Sequence, residues 1–350
     1  MNKKRFFAWL VVIAILAFGF MYPLHYYIMK PGNAYELSDY VKVENGDEPG
    51  PGKLNMMTVS MAVATPFTYV YAKLNDTQEI MTEKEVLGDN ESNKEYNERQ
   101  LHLMSDSQFN AKYVAFKETG KDYKVNYDGI YVASVVKKGA ADGILEVGDE
   151  VMKIDHKKLV KSGELSDYIA KKDKGDQVKL TFKRDGKIMK KNVTLKEIPD
   201  ADGRIGVGIS FTDSKSITTN PKVKIDSESI GGPSAGLMFT LEIIDQLTPG
   251  DLAKGHDIAG TGSMNEDGTV GRIGGIDKKV IAADKAGADI FFAPDDDISV
   301  YKKVAPKLKI ESNYDEAKAE AEKINTDMKI VPVKTAADAL NYLKNLKEAN

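Results

Sequence analysis

The sequence predicts an α+β protein that carries one N-terminal transmembrane helix. Three observations lead to this prediction. A long apolar run lies near the N-terminus, residues 124–198 contain short strand-like blocks around one helical segment, and residues 200–350 alternate helical and strand patterns typical of an α/β or α+β domain. A chain of 350 residues is long enough to hold two or three domains and bury a full core.

Composition excludes several kinds of chemistry. The chain has no cysteine, so disulfides, thiol catalysis and cysteine-ligated metals are ruled out. Its formal charge of -4 is small and its Lys and Glu residues are interspersed, which argues against a nucleic-acid partner. No G-x-x-x-x-G-K-[ST] pattern occurs, so no P-loop for ATP is encoded. We expect neither a metal nor a cofactor.

Residues 6–28 are predicted to cross a membrane, with residues 1–5 as a cytoplasmic tail. The run FFAWLVVIAILAFGFMYPLHYYIM has no charge until Lys30, and its tyrosines (Tyr22, Tyr26, Tyr27) suit an aromatic belt. A cleaved signal peptide is the alternative, but bulky aromatics follow the run where small residues would be expected. Basic residues precede the run and acidic ones follow it, so the remaining chain is expected outside the cytoplasm.

The next region, residues 29–122, is predicted to be an extracytoplasmic segment belonging to the same domain as the C-terminal part. Residues 55–64 (NMMTVSMAVA) favour a strand. Residues 92–120 carry apolar side chains at loosely helical spacing, which predicts one or two surface helices.

Residues 123–199 form a compact block of short strands, one helix and a hairpin at Arg184-Asp185-Gly186. The stretches GIYV, LEVGDEV and KGD before a strand resemble those of PDZ domains. That resemblance implies a peptide-binding loop at Gly129, Ile130 and Tyr131, where backbone N–H groups receive a C-terminal carboxylate and the peptide adds as a strand. The alternative is a degenerate PDZ domain that only positions its neighbours.

In residues 200–350, the segments 289–294 (DIFFAP) and 328–333 (MKIVPV) predict strands, and Thr335 is expected to cap a helix.

The stretch GGPSAG at 231–236 places one hydroxyl, Ser234, at the G-x-S-x-G spacing of α/β-hydrolases. The only histidine after it, His256, follows by too few residues for that fold, although His102 or His156 could serve a triad in another chain order. Ser234 could also simply cap the apolar helix that follows it.

Without a suitable histidine, a buried neutral lysine is the usual substitute as the base. Residues 276–287 predict a helix in which Ile276, Val280 and Ala283 share one face. Lys279 projects between Ala283 and Ala286, whereas Lys278 is expected to point into solvent with Lys285. Lys279 is therefore the candidate base, unless its head only reaches water past an apolar surface.

The C-terminal part of the chain resembles the proteolytic domain of Lon peptidases. The likeness includes GPSAG, Thr261-Gly262 before the hairpin-like NEDGTV, and GRIGGI followed by Lys279, and it covers most of residues 200–346. The resemblance implies that Ser234 is the nucleophile, Lys279 its base, and Thr261 the residue that hydrogen-bonds the lysine. Residues 50–54 (GPGKL) resemble the start of the same domain, which suggests that the PDZ block is inserted into it. Gly231 stands where the ATP-dependent enzymes often have an acid.

The combination of anchor, PDZ block and Lon-like domain without an ATPase is similar to the SepM/YlbL group of membrane-tethered proteases of Gram-positive bacteria. It implies an ATP-independent serine endopeptidase that cleaves secreted peptides or small membrane or extracytoplasmic proteins, and leaves an oligomer possible. The N–H of Ser234 and one from Gly231 or Gly232 would hold the oxyanion. The alternative from another class is a non-catalytic membrane scaffold that binds C-terminal peptides through its PDZ domain.

Overall fold

A computed structural model of the chain describes residues 3–88, 91–199, 201–227, 230–304 and 310–349. Residues 1 and 2 of the predicted tail and residue 200 at a predicted domain boundary lie outside these ranges. The chain divides into two compact units: the first comprises Met1–Ser92, Lys224–Asp226 and Ser234–Asn350, and the second comprises Asn93–Val223 and Ser227–Pro233. The second unit is thus longer at both ends than the predicted 123–199 block.

The first unit begins with an apolar helix and an antiparallel hairpin. Its N-terminal elements are α1 (Lys3–Met21), β1 (Tyr26–Glu36), a 3₁₀ turn (Leu37–Asp39), β2 (Val41–Val43), β3 (Lys53–Val63), α2 (Pro66–Lys73), β4 (Glu79–Thr82) and α3 (Glu83–Leu87). The strand predicted at 55–64 is confirmed as β3.

The apolar helix is shorter than the predicted span of residues 6–28. It ends at Met21, and Tyr26 to Ile28 already lie in β1. Pro23 explains this end, because proline disfavours helical backbone in the residue before it and donates no hydrogen bond. Leu24 N–H then donates to Ala64 O at 2.8 Å, which fixes the chain beside the end of β3. Within the described residues, no helix has both the length and the apolar character needed to cross a membrane.

The second unit is a small sheet with a long helix packed on it. Its elements are α4 (Asn93–Glu118), β5 (Asp122–Val135), β6 (Glu150–Ile154), β7 (Lys157–Lys158), α5 (Ser162–Ile169), β8 (Gln177–Arg184), β9 (Lys187–Thr194), β10 (Lys196–Glu197), β11 (Ile205–Gly206) and β12 (Ile209–Asn220). The strands of the sheet follow the order β12-β5-β6-β8-β9. The predicted hairpin is confirmed, with Asp185 and Gly186 both at positive φ as a two-residue type I′ turn requires.

The predicted surface helices between residues 92 and 120 are one 26-residue helix, α4. It contacts β5 and β12, and one side of it is buried. Strand β13 (Val223–Ile225) then leads the chain back to the first unit, where it pairs with β2.

The C-terminal part of the first unit supplies most of its helices. Its elements are α6 (Gly236–Leu247), β14 (Asp257–Gly260), β15 (Ser263–Met264), β16 (Val270–Gly271), α7 (Ile276–Ala286), β17 (Ile290–Pro294), α8 (Ser299–Val304), α9 (Asn313–Ile324), β18 (Lys329–Val333) and α10 (Ala336–Asn345). The predicted strands near 289–294 and 328–333 are confirmed, and Thr335 caps α10 in a capping box with Asp338.

Among the described residues, the sheet of the first unit has the strand order β18-β17-β14-β3-β1-β4. β3 runs parallel to β14, and this pairing joins the N-terminal hairpin to the C-terminal part of the chain. Helices cover both faces: Phe291 packs in the cluster formed with α7 and α9, whereas the ring of the next residue, Phe292, contacts Tyr342 of α10. Side chains therefore alternate between two buried layers, as in other largely parallel sheets.

Candidate active site

Ser234 lies just before α6, and its backbone is fixed against the end of β14. Its carbonyl oxygen accepts hydrogen bonds from Gly262 N–H at 2.8 Å and from the Thr261 hydroxyl at 3.0 Å. Ala235 is the N-cap of α6, and its side chain makes no capping hydrogen bond. The interpretation of Ser234 as the helix cap is therefore wrong, because the helix begins two residues later, at Gly236. The Ser234 hydroxyl is free for another partner.

Lys279 reaches this hydroxyl from α7, which begins and ends as predicted. Gly275 caps the start of the helix at φ 65°, and a Cβ there would lie 2.8 Å from Met29 Sδ, so only glycine fits. Gly287 ends the helix in the left-handed region. Ile276, Val280 and Ala283 form the buried face that the helical spacing predicts. The side of α7 that carries Lys279 is thereby held against the sheet.

The side chains of Ser234, Thr261 and Lys279 meet in one cluster, in which Ser234 is half-buried and the other two residues are buried. Lys279 Nζ lies 2.7 Å from Ser234 Oγ and 3.0 Å from Thr261 Oγ1. Lys279 is 2 % exposed, and Thr261 is fully buried. Among the described residues, both polar contacts of the amine are hydroxyl groups, and no carboxylate pairs with it. Burial lowers the pKa of Lys279 to about 7, which leaves much of the amine neutral near neutral pH.

The prediction that Lys278 points into solvent is wrong. Lys278 is only 5 % exposed. Its ammonium group pairs with the carboxylate of Asp277 and lies 3.5 Å from that of Glu79 at the start of β4. A helical wheel could not identify this partner, because Glu79 approaches from an element about 200 residues away in sequence.

The segment before α7 is fixed by contacts that the sequence analysis missed. Arg272 donates to Asp296 at 3.1 Å and to Glu316 of α9 at 2.5 Å. Ile273 N–H donates to the buried Asn313 Oδ1 at 2.7 Å. Two of these three contacts, those to Glu316 and Asn313, join the GRIGG stretch to the start of α9, so they help to fix where α7 begins.

Gly231 and Gly232 belong to the second unit, where α4 holds their segment. Gly232 N–H donates to Gln100 O at 2.8 Å, and Ser107 Oγ donates to Pro233 O at 3.0 Å. Of the two glycines predicted to offer an oxyanion donor, Gly232 therefore has its N–H already engaged. A Cβ at Gly231 would lie 2.9 Å from Gln100 Cβ, so a larger residue would press against α4.

The histidines do not provide a base for Ser234 in the described hydrogen bonds. His256 contacts Lys347 O at 3.0 Å and Asp289 at 3.5 Å, beside the first residue of β14. Thr261 and Ser234 lie at the opposite end of this strand, about 13 Å along it. In the second unit, His102 stacks on Tyr131 with ring centroids 3.4 Å apart. The α/β-hydrolase alternative through His256 therefore has no geometric support.

The residues predicted as a peptide-binding loop, Gly129 to Tyr131, lie inside strand β5. They pair with β12 on one side, and Ile130 and Tyr131 pair with β6 on the other. Ile130 is fully buried and Tyr131 nearly so. The prediction that these residues form a loop is wrong, because β12, which follows the PDZ block in sequence, joins the sheet and pairs with β5. Among the described residues, the terminal strands of this sheet are β12 and β9.

Comparisons with known proteins identify both parts of the chain. Residues 116–195 match the PDZ domain family, and residues 227–331 match the Lon protease (S16) C-terminal proteolytic domain. A Lon protease from Campylobacter concisus is 36 % identical over 110 residues, which are 31 % of this chain and 11 % of that protein. A probable periplasmic serine endoprotease, DegP-like, from Pseudomonas putida strain GB-1 is 31 % identical over 101 residues, 27 % of this chain and 21 % of that protein.

A solved PDZ domain of the SdrC-like protein from Listeria monocytogenes is 39 % identical to this chain, covering 25 % of this chain and 92 % of that domain with a TM-score of 0.24. The chain spans only about a tenth to a fifth of the length of the curated Lon and DegP-like relatives given above. It contains a PDZ domain together with a Lon-type proteolytic domain.

Proposed function

We propose that this chain, which carries a PDZ domain and a Lon-type proteolytic domain, is an ATP-independent serine endopeptidase with a Ser234–Lys279 dyad. The observation that carries the proposal is the 2.7 Å contact between Ser234 Oγ and the buried amine of Lys279, whose pKa is lowered to about 7. A neutral amine at this distance can accept the hydroxyl proton, which is the requirement for a general base. Independence from ATP is supported by the lack of a P-loop pattern in the sequence.

The reaction follows from these positions. As Ser234 Oγ bonds to the carbonyl carbon of the substrate, its proton moves to Lys279 Nζ, and the carbonyl oxygen becomes an oxyanion. The C–N bond then breaks, and the Lys279 ammonium returns the proton to the leaving amine. A water molecule next attacks the acyl ester and gives a proton to Lys279. The bond from the carbonyl carbon to Ser234 Oγ then breaks, Lys279 passes its proton to that oxygen, and the acid is released.

Thr261 and the start of α6 support this chemistry. Thr261 Oγ1 donates to Ser234 O and accepts from Lys279 Nζ, so it orients nucleophile and base together. The first N–H groups of a helix have no partner within the helix. In α6, the N–H of Leu237 already donates to Gly262 O at 3.0 Å. We assign the oxyanion to the N–H of Ser234 itself, which lies just before α6.

The PDZ domain would bind an extended peptide along β12. β12 is the terminal strand of its sheet, and α5 lies beside it, with Ser162 N–H donating to Asp213 of β12 at 2.6 Å. A peptide that adds to such an edge gains main-chain hydrogen bonds and can place side chains against the helix. This groove would recruit secreted or membrane-bound substrates outside the cytoplasm.

The helix α1 would anchor the chain in the cytoplasmic membrane, with residues 1–5 inside and the part of the chain that follows α1 outside. Its apolar side chains are exposed along its whole length, and Lys3 and Lys4 lie at its start. Alkaline carbonate extraction tests this: the wild-type chain is expected to stay with the membranes, and a Leu10→Arg, Ile13→Arg variant to be released.

The peptidase itself is tested with the purified full chain in detergent. We expect an unstructured polypeptide to be cut into fragments by the wild type and to remain intact with Ser234→Ala. If the wild type forms no fragments and yet binds a C-terminal peptide, the chain is a peptide-binding scaffold, and the proposed function is wrong.

A further inference from the structure

The outward side of α2 carries an apolar stripe, most of which is exposed to solvent. Phe67, Val70, Tyr71 and Leu74 follow one another at intervals of three, one and three residues, so they form one line along the helix and the residue after it. Val70 is 57 % exposed, Tyr71 60 % and Leu74 82 %. Contiguous apolar surface of this kind marks an interaction site more often than scattered apolar residues do.

The exposure of the stripe does not result from a loose helix. The other side of α2 holds it to the sheet: Ala72 is buried in a cluster with Ile28 and Ala64, and Tyr69 packs against that cluster. Thr65 and Thr68 form a capping box at its start, with proline at the first helical position. α2 is therefore an anchored helix with two apolar sides, only one of which is used for folding.

The stripe is continuous with the apolar helix α1. The ring of Phe67 lies against Gly19, where an added Cβ would come within 2.2 Å of it, and its centroid is 4.7 Å from that of Phe20 in an edge-on contact. The apolar surface of α1 thus passes into that of α2 without a polar boundary. Whatever environment covers the end of α1 also reaches α2.

The composition of α2 favours a lipid surface over a protein partner. The helix contains no acidic residue, and its aromatic residues and one lysine are the types that lie at membrane interfaces. Lys73 extends over the ring of Tyr69, with Nζ 5.1 Å from its centroid, as expected of a basic residue that covers an aromatic near headgroups.

We propose that the stripe of Phe67, Val70, Tyr71 and Leu74 is an interfacial membrane-docking face, inserted at the headgroup level of the bilayer that α1 enters. This inference rests on the anchoring role of α1 in the proposed function, and it names a second contact with the same membrane.

The docking face would determine which peptide bonds the dyad can reach. Thr261 follows Gly260, which pairs with Met56 of β3, and β3 then runs to Val63 just before α2. Thr261 therefore lies level with Met57, the residue after Met56. Val63 is six residues further along the strand, a distance of about 20 Å at roughly 3.3 Å per residue. The dyad would therefore be held within about 20 Å of the bilayer surface, and its substrates would be extracytoplasmic segments next to a membrane anchor.

Because the chain has no cysteine, the docking face can be mapped with single labels in the full-length protein. Val70→Cys and Leu74→Cys report on the stripe, and Val12→Cys reports on α1. Ala286→Cys is the matched control, since it is exposed at the end of α7 and lies at the edge of the sheet where β14 and β17 begin, opposite α2. Each variant is labelled with an environment-sensitive fluorophore and reconstituted into phosphatidylcholine–phosphatidylglycerol vesicles with or without spin-labelled lipid.

We expect blue-shifted emission and quenching by the spin-labelled lipid at residues 70 and 74, and neither at 286. Labels at 70 and 74 that behave as in water overturn the proposal, and so does a blue shift that depends on protein concentration but is not quenched by lipid, since that indicates a second copy. The label at residue 12 reports separately whether α1 is inserted.

A second variant, Val70→Asp with Leu74→Asp, tests the docking role separately from the catalytic activity. It should hydrolyse a soluble peptide at the wild-type rate but cleave a vesicle-anchored peptide several-fold more slowly. Equal loss on both substrates would contradict a docking role. If the wild type hydrolyses neither peptide, the peptidase assignment fails, while the quenching result still decides the docking face.

Discussion

Lys278 and Lys279 are neighbours on α7, and both are almost completely buried, yet their surroundings differ. The amine of Lys278 lies between the carboxylates of Asp277 and Glu79 and forms an ion pair with each. The amine of Lys279 contacts only the hydroxyls of Ser234 and Thr261, and burial lowers its pKa to about 7. Burial alone therefore does not distinguish the two lysines. The presence or absence of a carboxylate does, and it separates an ion-paired structural lysine from a candidate base.

The largest expected effect comes from removing the base. Lys279→Met should lower kcat for peptide hydrolysis by on the order of 10⁴-fold, and Ser234→Ala by a similar factor, because the two groups act as one unit. The double variant should be no worse than either single one. Rates of fragment formation by the purified full chain test this, and a Lys279→Met protein with near-normal activity would rule out the dyad.

Removing the hydroxyl that joins the two partners should have a smaller effect. Thr261→Val deletes the bonds to Lys279 and to Ser234 O, and a lost buried hydrogen bond of about 1–3 kcal/mol corresponds to roughly a 10- to 100-fold drop in kcat. Thr261→Ser keeps the hydroxyl and is the control. If valine and serine variants are equally active, Thr261 has no orienting role.

Glu242 of α6 extends the comparison to a buried acid that has no positively charged partner in direct contact among the residues that the structure describes. Its carboxylate accepts a hydrogen bond from Gln246 at 2.6 Å, and burial raises its pKa to about 7. Because the folded form holds the proton more tightly than the unfolded one, Glu242 makes the protein less stable as the pH rises from about 4.5 to about 7.

Glu242→Gln should remove this cost, since the amide is neutral and can still accept from Gln246. We expect a gain on the order of 1–3 kcal/mol in the free energy of unfolding above neutral pH, and little change near pH 4, where the acid is protonated in both states. Urea unfolding at the two pH values measures it. An equal gain in the free energy of unfolding at both pH values would mean that ionisation of Glu242 does not cause the gain.

Lys278→Met should give the smallest change and serves as the control for the dyad. Its partners Glu79 and Asp277 are 50 % and 35 % exposed and can be solvated once the lysine is gone, so we expect a loss of about 1 kcal/mol in stability. Hydrolysis should remain near the wild-type rate. A large loss of activity in a folded Lys278→Met protein would mean that the two lysines are not functionally distinct.

Local patterns in the sequence predicted the site better than they predicted its surroundings. Helical spacing and flanking glycines set the bounds of α7 and selected Lys279, and the shortage of histidine directed attention to a lysine. The end of α1 could also have been predicted, since Pro23 lies inside the proposed span and is hard to accommodate in a helix.

The sequence patterns did not indicate features that depend on contacts between residues far apart in the chain. Lys278 is buried because β4 brings Glu79 to it, and Gly129 to Tyr131 are in a strand because β12 returns to pair with β5. Gly232 N–H is engaged because α4 presents Gln100 O to it. None of these partners lies close in sequence to the residue concerned, so no periodicity or motif around that residue indicates them.

The pH dependence of kcat/KM for a soluble peptide tests the central claim most directly, because it reports the protonation of the free enzyme's base. We predict that activity rises with pH through a midpoint at about 7, as Lys279 loses its proton, and that Lys278→Met keeps this midpoint. A flat profile across the neutral range, or a midpoint near 10.4 as for an ordinary lysine, would contradict the assignment of Lys279 as a buried, neutral base.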